Sequence, residues 1–308
     1  MRKYLFCESG FVEKPEWQPY CWVNVECPDA EDIKFLTQDL KVPDSFLEDI
    51  ADVDERPRTD NEDEWRLTIL RIPMQSDVEG TPFVTVPIGI ITNDGVIVTV
   101  CYHHTELLPD FIQHTRRKGI VVKNKLDLIL RLIYSSAVWF LKYLKQINIE
   151  VATAETKLEK SIRNEDLLQL MKLQKTLVYF NTSIRGNEVM IGRLKNIYQN
   201  TDILNNELLD DVDIELKQAY NTVNIYSDIL TGTMDAFASI ISNNVNAMMK
   251  RMTSLSITLM IPTLIASFYG MNVSIHLSSF PNAFFLIVLF SCAISAITFV
   301  WFRKIKWF

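Results

Sequence analysis

At 308 residues the chain has room for a soluble domain of ordinary size, several long helices and a membrane segment. The net charge of −7 is uneven: residues 1–64 hold 18 Asp and Glu against 7 Lys and Arg, which leaves about +4 for the rest. So acidic a start argues against nucleic acid as a partner and suits a protein that meets cations. The five cysteines (Cys7, Cys21, Cys27, Cys101, Cys292) are odd in number, form no C-x-x-C pair and follow no signal peptide. They read as reduced cytosolic thiols rather than disulfides or a zinc site. The four histidines show no metal-ligand spacing. No phosphate-binding Gly-rich loop or catalytic nucleophile motif is recognisable, so the sequence predicts neither an enzyme nor an organic cofactor.

Residues 1–120 predict a mixed α/β domain. Lys3–Phe6, Tyr20–Val25, Trp65–Ile72, Phe83–Ile91 and Val96–Tyr102 are rich in β-branched and aromatic residues and predict strands. Asn93-Asp94-Gly95 predicts a hairpin turn between the last two. Helices are expected at Asp29–Gln38 and Pro43–Ala51, and the acidic segment Asp52–Glu64 is expected to be loop. Glu106–Lys125 has helical and basic character.

From Leu126 the apolar period changes to steps of four and three: Leu126, Leu130, Ile133, Ala137, Phe140, Leu144, Ile147, Val151, Ala154 and Leu158. The pattern breaks near Arg163-Asn164-Glu165, and a second helix is predicted from about Glu165 to Tyr198. Asn200–Asn206 predicts the next turn. A third stripe starts at Leu209 and meets no proline before Pro262, so one helix is expected from Glu207 to Met271. Residues 121–206 thus predict two long antiparallel helices, and 207–271 a stalk running into a membrane span.

Met252–Phe302 contains no Lys, Arg, Asp or Glu. Two apolar runs, about 252–271 and 283–302, are each about 20 residues, enough for a hydrocarbon core roughly 30 Å thick. Lys250 and Arg251 flank the first; Arg303, Lys304 and Lys306 flank the second. Positive charge on both outer flanks predicts a two-helix transmembrane hairpin with both termini cytoplasmic, residues 272–282 external, and 303–308 a basic cytosolic tail.

Ser242, Asn246, Met249, Thr253, Ser256, Met260, Thr263, Ser267 and Gly270 step by four and three, so one face of the first span is small, polar or Met. Two readings fit that spacing. Small and hydroxyl residues favour close helix packing; polar residues in a membrane helix also line water-filled paths. The second requires an oligomer, because two spans cannot enclose a pore. Pro262 lacks an N–H and frees the carbonyl of Thr258, a feature compatible with either reading.

Tyr269-Gly270-Met271-Asn272, placed at the end of the first of two C-terminal spans and followed by a basic tail, resembles the CorA family of magnesium transport channels. Phe46-Leu47-Glu48-Asp49-Ile50 with Asp54-Glu55-Arg56-Pro57-Arg58 is similar to the family's cytosolic signature. Asp235–Asn246 is similar to the segment leading into its pore helix. The resemblance implies a homopentamer in the cell membrane (inner or plasma membrane): an α/β N-terminal cytosolic domain, a coiled-coil-like funnel of long helices, and the C-terminal two-helix transmembrane hairpin. It implies passage of Mg2+, with Co2+ or Ni2+, and regulation by Mg2+. It assigns Gly270, Met271 and Asn272 to the selectivity filter, with Asn246, Met249, Met252, Ser256, Met260 and Thr263 lining the pore. Asp49 and Asp211 match the main regulatory carboxylate pair between neighbouring copies, and Glu48 a second-site ligand. The stripe places Thr253 on the face where the family has Met252.

The chain departs from the family pattern twice. Its external loop, Val273–Asn282, carries no acid, and on the first long helix Tyr134 stands in an apolar run where acids serve a secondary site. Asp127 is the one acid between Lys125 and Gln146. Two other readings remain: a zinc transporter of the related ZntB type, which resembles Gly-Val-Asn where this chain has Gly270-Met271-Asn272, and a non-conducting membrane-anchored oligomeric scaffold or sensor.

Overall fold

The computed structural model describes residues 2–76, 80–161, 163–199, 201, 203–271, 282–305 and 307. The chain divides into two compact units, Met1–Gly232 and Thr233–Phe308.

In the first unit, seven strands among the described residues form one sheet: β1 (Arg2–Cys7), β2 (Phe11–Lys14), β3 (Trp22–Glu26), β4 (Arg58–Glu62), β5 (Trp65–Gln75), β6 (Phe83–Thr92) and β7 (Ile97–Cys101). Their order is β2-β1-β3-β7-β6-β5-β4, and only β3 and β7 run parallel. The β6–β7 hairpin closes where expected, because Asn93 Oδ1 accepts from the N–H groups of Gly95 (2.9 Å) and Val96 (3.0 Å). Two strands were not expected. Segment Arg58–Glu62, predicted as loop, is β4, paired from Arg58↔Ile69 to Glu62↔Trp65. It has no apolar alternation because it is an edge strand, where charged side chains discourage further pairing. The four-residue β2 is too short for its pattern to stand out.

α1 (Ala30–Lys34) opens on a capping box from Asp29 and continues as a π-helical turn, Phe35–Asp39. The Leu40 N–H donates to Phe35 O at 3.0 Å, five residues back. α2 (Asp44–Ala51) lays Phe46, Leu47 and Ile50 on the sheet with Val23, Val25, Leu67, Ile69 and Val98. A Cβ on Gly89 of β6 would stand 2.0 Å from Ile50 Cδ1, so glycine lets this helix approach. α3 (Leu107–Lys118) stops at Gly119, which takes φ 61 and donates back to Arg116 and Thr115 carbonyls.

α4 (Lys125–Lys160) and α5 (Asn164–Tyr198) contact β5 and β6 and pack on each other through Phe140 and Phe180, whose rings meet edge-on at 5.1 Å. Among the described residues, the β4 pairing on the outer side of β5 ends at Ile69, short of Arg71. Asn187 of α5, fully buried, takes over the pairing: Arg71 N–H donates to Asn187 Oδ1 (3.0 Å), and Asn187 Nδ2 donates to Arg71 O (2.8 Å). The Arg71 guanidinium reaches the loop after α2, donating to Val53 O and Glu55 O, both at 2.8 Å, and to Thr85 O at 2.6 Å. Burial pulls its pKa down, and the charges of Asp54, Asp52 and Glu55 oppose that.

α6 (Asn206–Tyr269) and α7 (Ala283–Lys304) are, among the described residues, the helices long and apolar enough to cross a membrane. Within the second unit the buried surface of α6 is narrow: Ser254 is 0% and Thr258 8% exposed, with Ile261, Pro262 and Ile265 half-buried. The carbonyl that Pro262 frees is satisfied by α7, because Ser295 Oγ donates to Thr258 O at 2.7 Å. Ser254 and Thr258 turn their hydroxyls back to their own helix, onto Lys250 O (2.9 Å) and Ser254 O (2.8 Å).

Two substitutions test these joints. Asn187→Ala strands both backbone groups of Arg71 and should cost about 1–3 kcal/mol, read as a lowered unfolding midpoint in detergent. Ser295→Ala leaves the Thr258 carbonyl without its donor and should weaken the hairpin by about 1 kcal/mol, read as easier denaturant unfolding of α7; an unchanged midpoint would remove that bond from the account.

Candidate functional site

Two groups of residues were singled out by sequence, and they lie on different elements. The first is the face of α6. With about 100° of turn per residue, two residues carry the chain about 200° round the helix, to the far side. Ser256, Met260, Thr263 and Ser267 each follow by two one of the α7-facing residues, Ser254, Thr258, Ile261 and Ile265. The small, polar and Met stripe is therefore opposite the surface that α7 covers. All its members in this stretch are exposed in the single chain, Met249 at 62% and Met260 at 64%. Met252 (64% exposed) and Thr253 flank the stripe about 100° apart, one on either edge, so both border the same face. Asn246, on the same side, is exposed too.

α6 ends by tightening its last turn. The Gly270 N–H donates to Ala266 O (2.9 Å) and Ser267 O (3.2 Å), and Met271 N–H to Phe268 O (3.4 Å). Gly270 and Met271 are exposed there. Asn272 and the loop through Pro281 lie outside the described residues.

The second group is the set of carboxylates in the first unit. Glu48 is exposed on α2, and Asp49 beside it is half-buried. Asp49 Oδ2 accepts from Arg58 Nη2 at 2.6 Å. The same guanidinium donates through Nη1 to Glu55 and through Nε to Asp60, so three carboxylates surround one cation. Burial by itself would lower the Arg58 pKa; the hydrogen bonds to Asp60 and Glu55 and the charge of Asp49 raise it instead. Sequence reasoning saw Arg56-Pro57-Arg58 as part of a signature but had no signal for this pairing, which depends on β4 turning Arg58 back toward α2.

Asp211, exposed on α6, has other neighbours. The phenol of Tyr134 on α4 is pushed up by burial first and then by the charges of Glu215 and Asp211. Asp127 is buried and serves its own helix, accepting from Lys123 N–H (2.9 Å) and pairing with Arg131 Nε (3.0 Å). Its side chain is a helix-start brace, not an open ligand. Among the described residues of one chain, no three His, Cys, Asp or Glu side chains are grouped so as to hold a metal ion. Asp49 and Asp211 nonetheless offer hard carboxylate oxygens at accessible positions, the donor type that suits a hydrated divalent cation.

The chain is similar to known proteins over nearly its whole length. A curated relative, the cobalt/magnesium transport protein CorA of Methanocaldococcus jannaschii, is 24% identical over 295 residues, 93% of this chain and 90% of that protein. The complete structure of the CorA magnesium transporter from the same organism superposes with a TM-score of 0.84 at 21% identity, covering 100% of this chain and 99% of the other. The ZntB cytoplasmic domain from Vibrio parahaemolyticus shares the fold more distantly, with a TM-score of 0.59 at 16% identity over 79% of this chain and 97% of its own. A model of the CorA-like Mg2+ transporter protein family matches residues 17–304, nearly the whole of the sequence, and the chain belongs to that family.

Proposed function

We propose that the protein is a pentameric channel that passes Mg2+, with Co2+ and Ni2+, across the cell membrane down the electrochemical gradient. The observation that carries this reading is the face of α6 opposite α7: exposed polar and Met side chains, with Thr263 bonded back to Leu259 O of its own helix (3.2 Å), in a helix able to span a membrane. Lipid is a poor solvent for Asn246, Ser256 and Thr263, so copies of the same face meeting round a wet axis satisfy them. With α7 on the outer side, each copy contributes one inner helix. The family and the names of its relatives support divalent cations as the cargo.

In this reading Gly270, Met271 and Asn272 form the outer filter. Mg2+ releases water reluctantly, so a ring of Asn272 side-chain carbonyls holds the ion through its hydration shell rather than stripping it. Met249, Met252 and Met260 make apolar constrictions that close by dewetting, while Asn246, Ser256 and Thr263 wet the intervals. An inside-negative potential contributes about 2.3 kcal/mol per charge per 100 mV, roughly twice that for a divalent ion. Both termini are cytoplasmic. Asp49 and Asp211 of neighbouring copies, with Glu48 at a second position, would hold a regulatory Mg2+ whose charge offsets their repulsion and favours the closed ring. Transport, and no chemical step, is the activity.

Flux into proteoliposomes tests the proposal, with Mg2+, Co2+, Ni2+ and Zn2+ supplied separately. Mg2+ entry that Asn272→Ala abolishes is expected. Entry of Zn2+ alone would move the chain to the zinc reading, and undiminished Mg2+ flux in Asn272→Ala would remove that residue from the filter.

A further inference from the structure

The proposed regulatory carboxylate Asp49 is already engaged by a cation of the chain itself. Arg58 opens β4, where its backbone pairs with Ile69. The approach to it is fixed from both sides. Pro57 lies so close to α5 that a Cβ on Gly186 would stand 2.8 Å from Pro57 Cγ. The preceding carbonyls of Val53 and Glu55 are held by the Arg71 guanidinium. Arg58 thus reaches Asp49 from a set position, and its planar fork divides its N–H groups among Asp49, Glu55 and Asp60.

We infer, on the reading that Asp49 belongs to the regulatory site, that Arg58 sets the ion affinity of that site by occupying the Asp49 carboxylate when no ion is bound. An ion that coordinates Asp49 directly has to loosen the 2.6 Å bond to Arg58. An ion that meets Asp49 through its waters has to compete with Arg58 for the same carboxylate oxygens. Both routes lower affinity, so the direction does not depend on which one operates. Glu55 and Asp60 matter as well, because they hold the guanidinium in place and share its charge. Arg58 and Asp49 side chains remain 28% and 33% exposed, so solvent screens the effect without erasing it. The arrangement makes the closed state respond to a higher Mg2+ concentration than the bare carboxylates would set.

The test is limited proteolysis of the full-length protein in detergent across a Mg2+ titration, reading the concentration that gives half-protection. Arg58→Gln should lower that concentration by roughly three- to tenfold, the effect of removing one charge near a divalent ion in a mostly solvated setting. Arg58→Lys keeps the charge but loses the fork, and should shift it the same way by about twofold; it decides the matter if the Gln variant does not fold. In an Asp49→Asn background the Arg58→Gln shift should vanish. An unchanged or raised half-protective concentration in the Arg58 variants, or a shift that persists in Asp49→Asn, overturns the inference. Asp49→Asn and Asp211→Asn both digesting as wild type at every Mg2+ concentration would overturn the regulatory reading beneath it instead.

Discussion

A polar stripe on an uncharged apolar helix has to be hidden from lipid, and in this chain the second span does not hide it. α7 meets α6 at Thr258, where the Ser295 hydroxyl answers the one backbone carbonyl that Pro262 leaves open, and Ser254 is buried one turn before it. With α7 on that side, the two helices do not pack through Ser256, Met260 and Thr263, which stay exposed on the opposite face. Small-residue packing within the hairpin therefore accounts for the face of Ser254, and leaves the opposite face to other copies or to water. Of the two readings that the spacing allowed, the position of α7 weighs toward the second.

The sheet-bearing unit depends on comparable substitutions of one partner for another. Where β4 ends, Asn187 supplies the hydrogen bonds that a strand would have made to Arg71. Where the loop after α2 would hang free, the Arg71 side chain binds its carbonyls. Where acids crowd after α2, Arg58 stands between them. These links connect α5, the sheet and the Asp49 carboxylate through rigid backbone.

Much of this was legible in the sequence because periodicity survives in long elements. The steps from Leu126 to Leu158 predicted α4, and the break at Arg163-Asn164-Glu165 marked where α5 begins. The Asn93-Asp94-Gly95 turn was readable from local chemistry alone. β4 was not, because Arg-Thr-Asp-Asn-Glu has the composition of a loop and becomes a strand only through β5. Pro262 announced that the Thr258 carbonyl would be free; that Ser295 takes it depends on the register of two helices, which no single-chain pattern encodes. Asp49 was named as a ligand from resemblance, yet its bond to Arg58 spans the irregular loop between α2 and β4 and has no sequence periodicity to betray it. Thr253, chosen by spacing, and Met252, chosen by resemblance, both border one face because a straight helix drifts past a seven-residue repeat.

The central claim is that the face of α6 opposite α7 meets water inside an assembly of copies. Single cysteines placed in a background lacking the five native ones test it, with a membrane-impermeant thiol reagent applied to the reconstituted protein. Cysteines at Ser256, Met260 and Thr263 should react, while those at Leu255 and Ile257, each about 100° round the helix from Ser256, should stay protected. Equal protection at all five positions, or reaction confined to Leu255 and Ile257, would contradict the account.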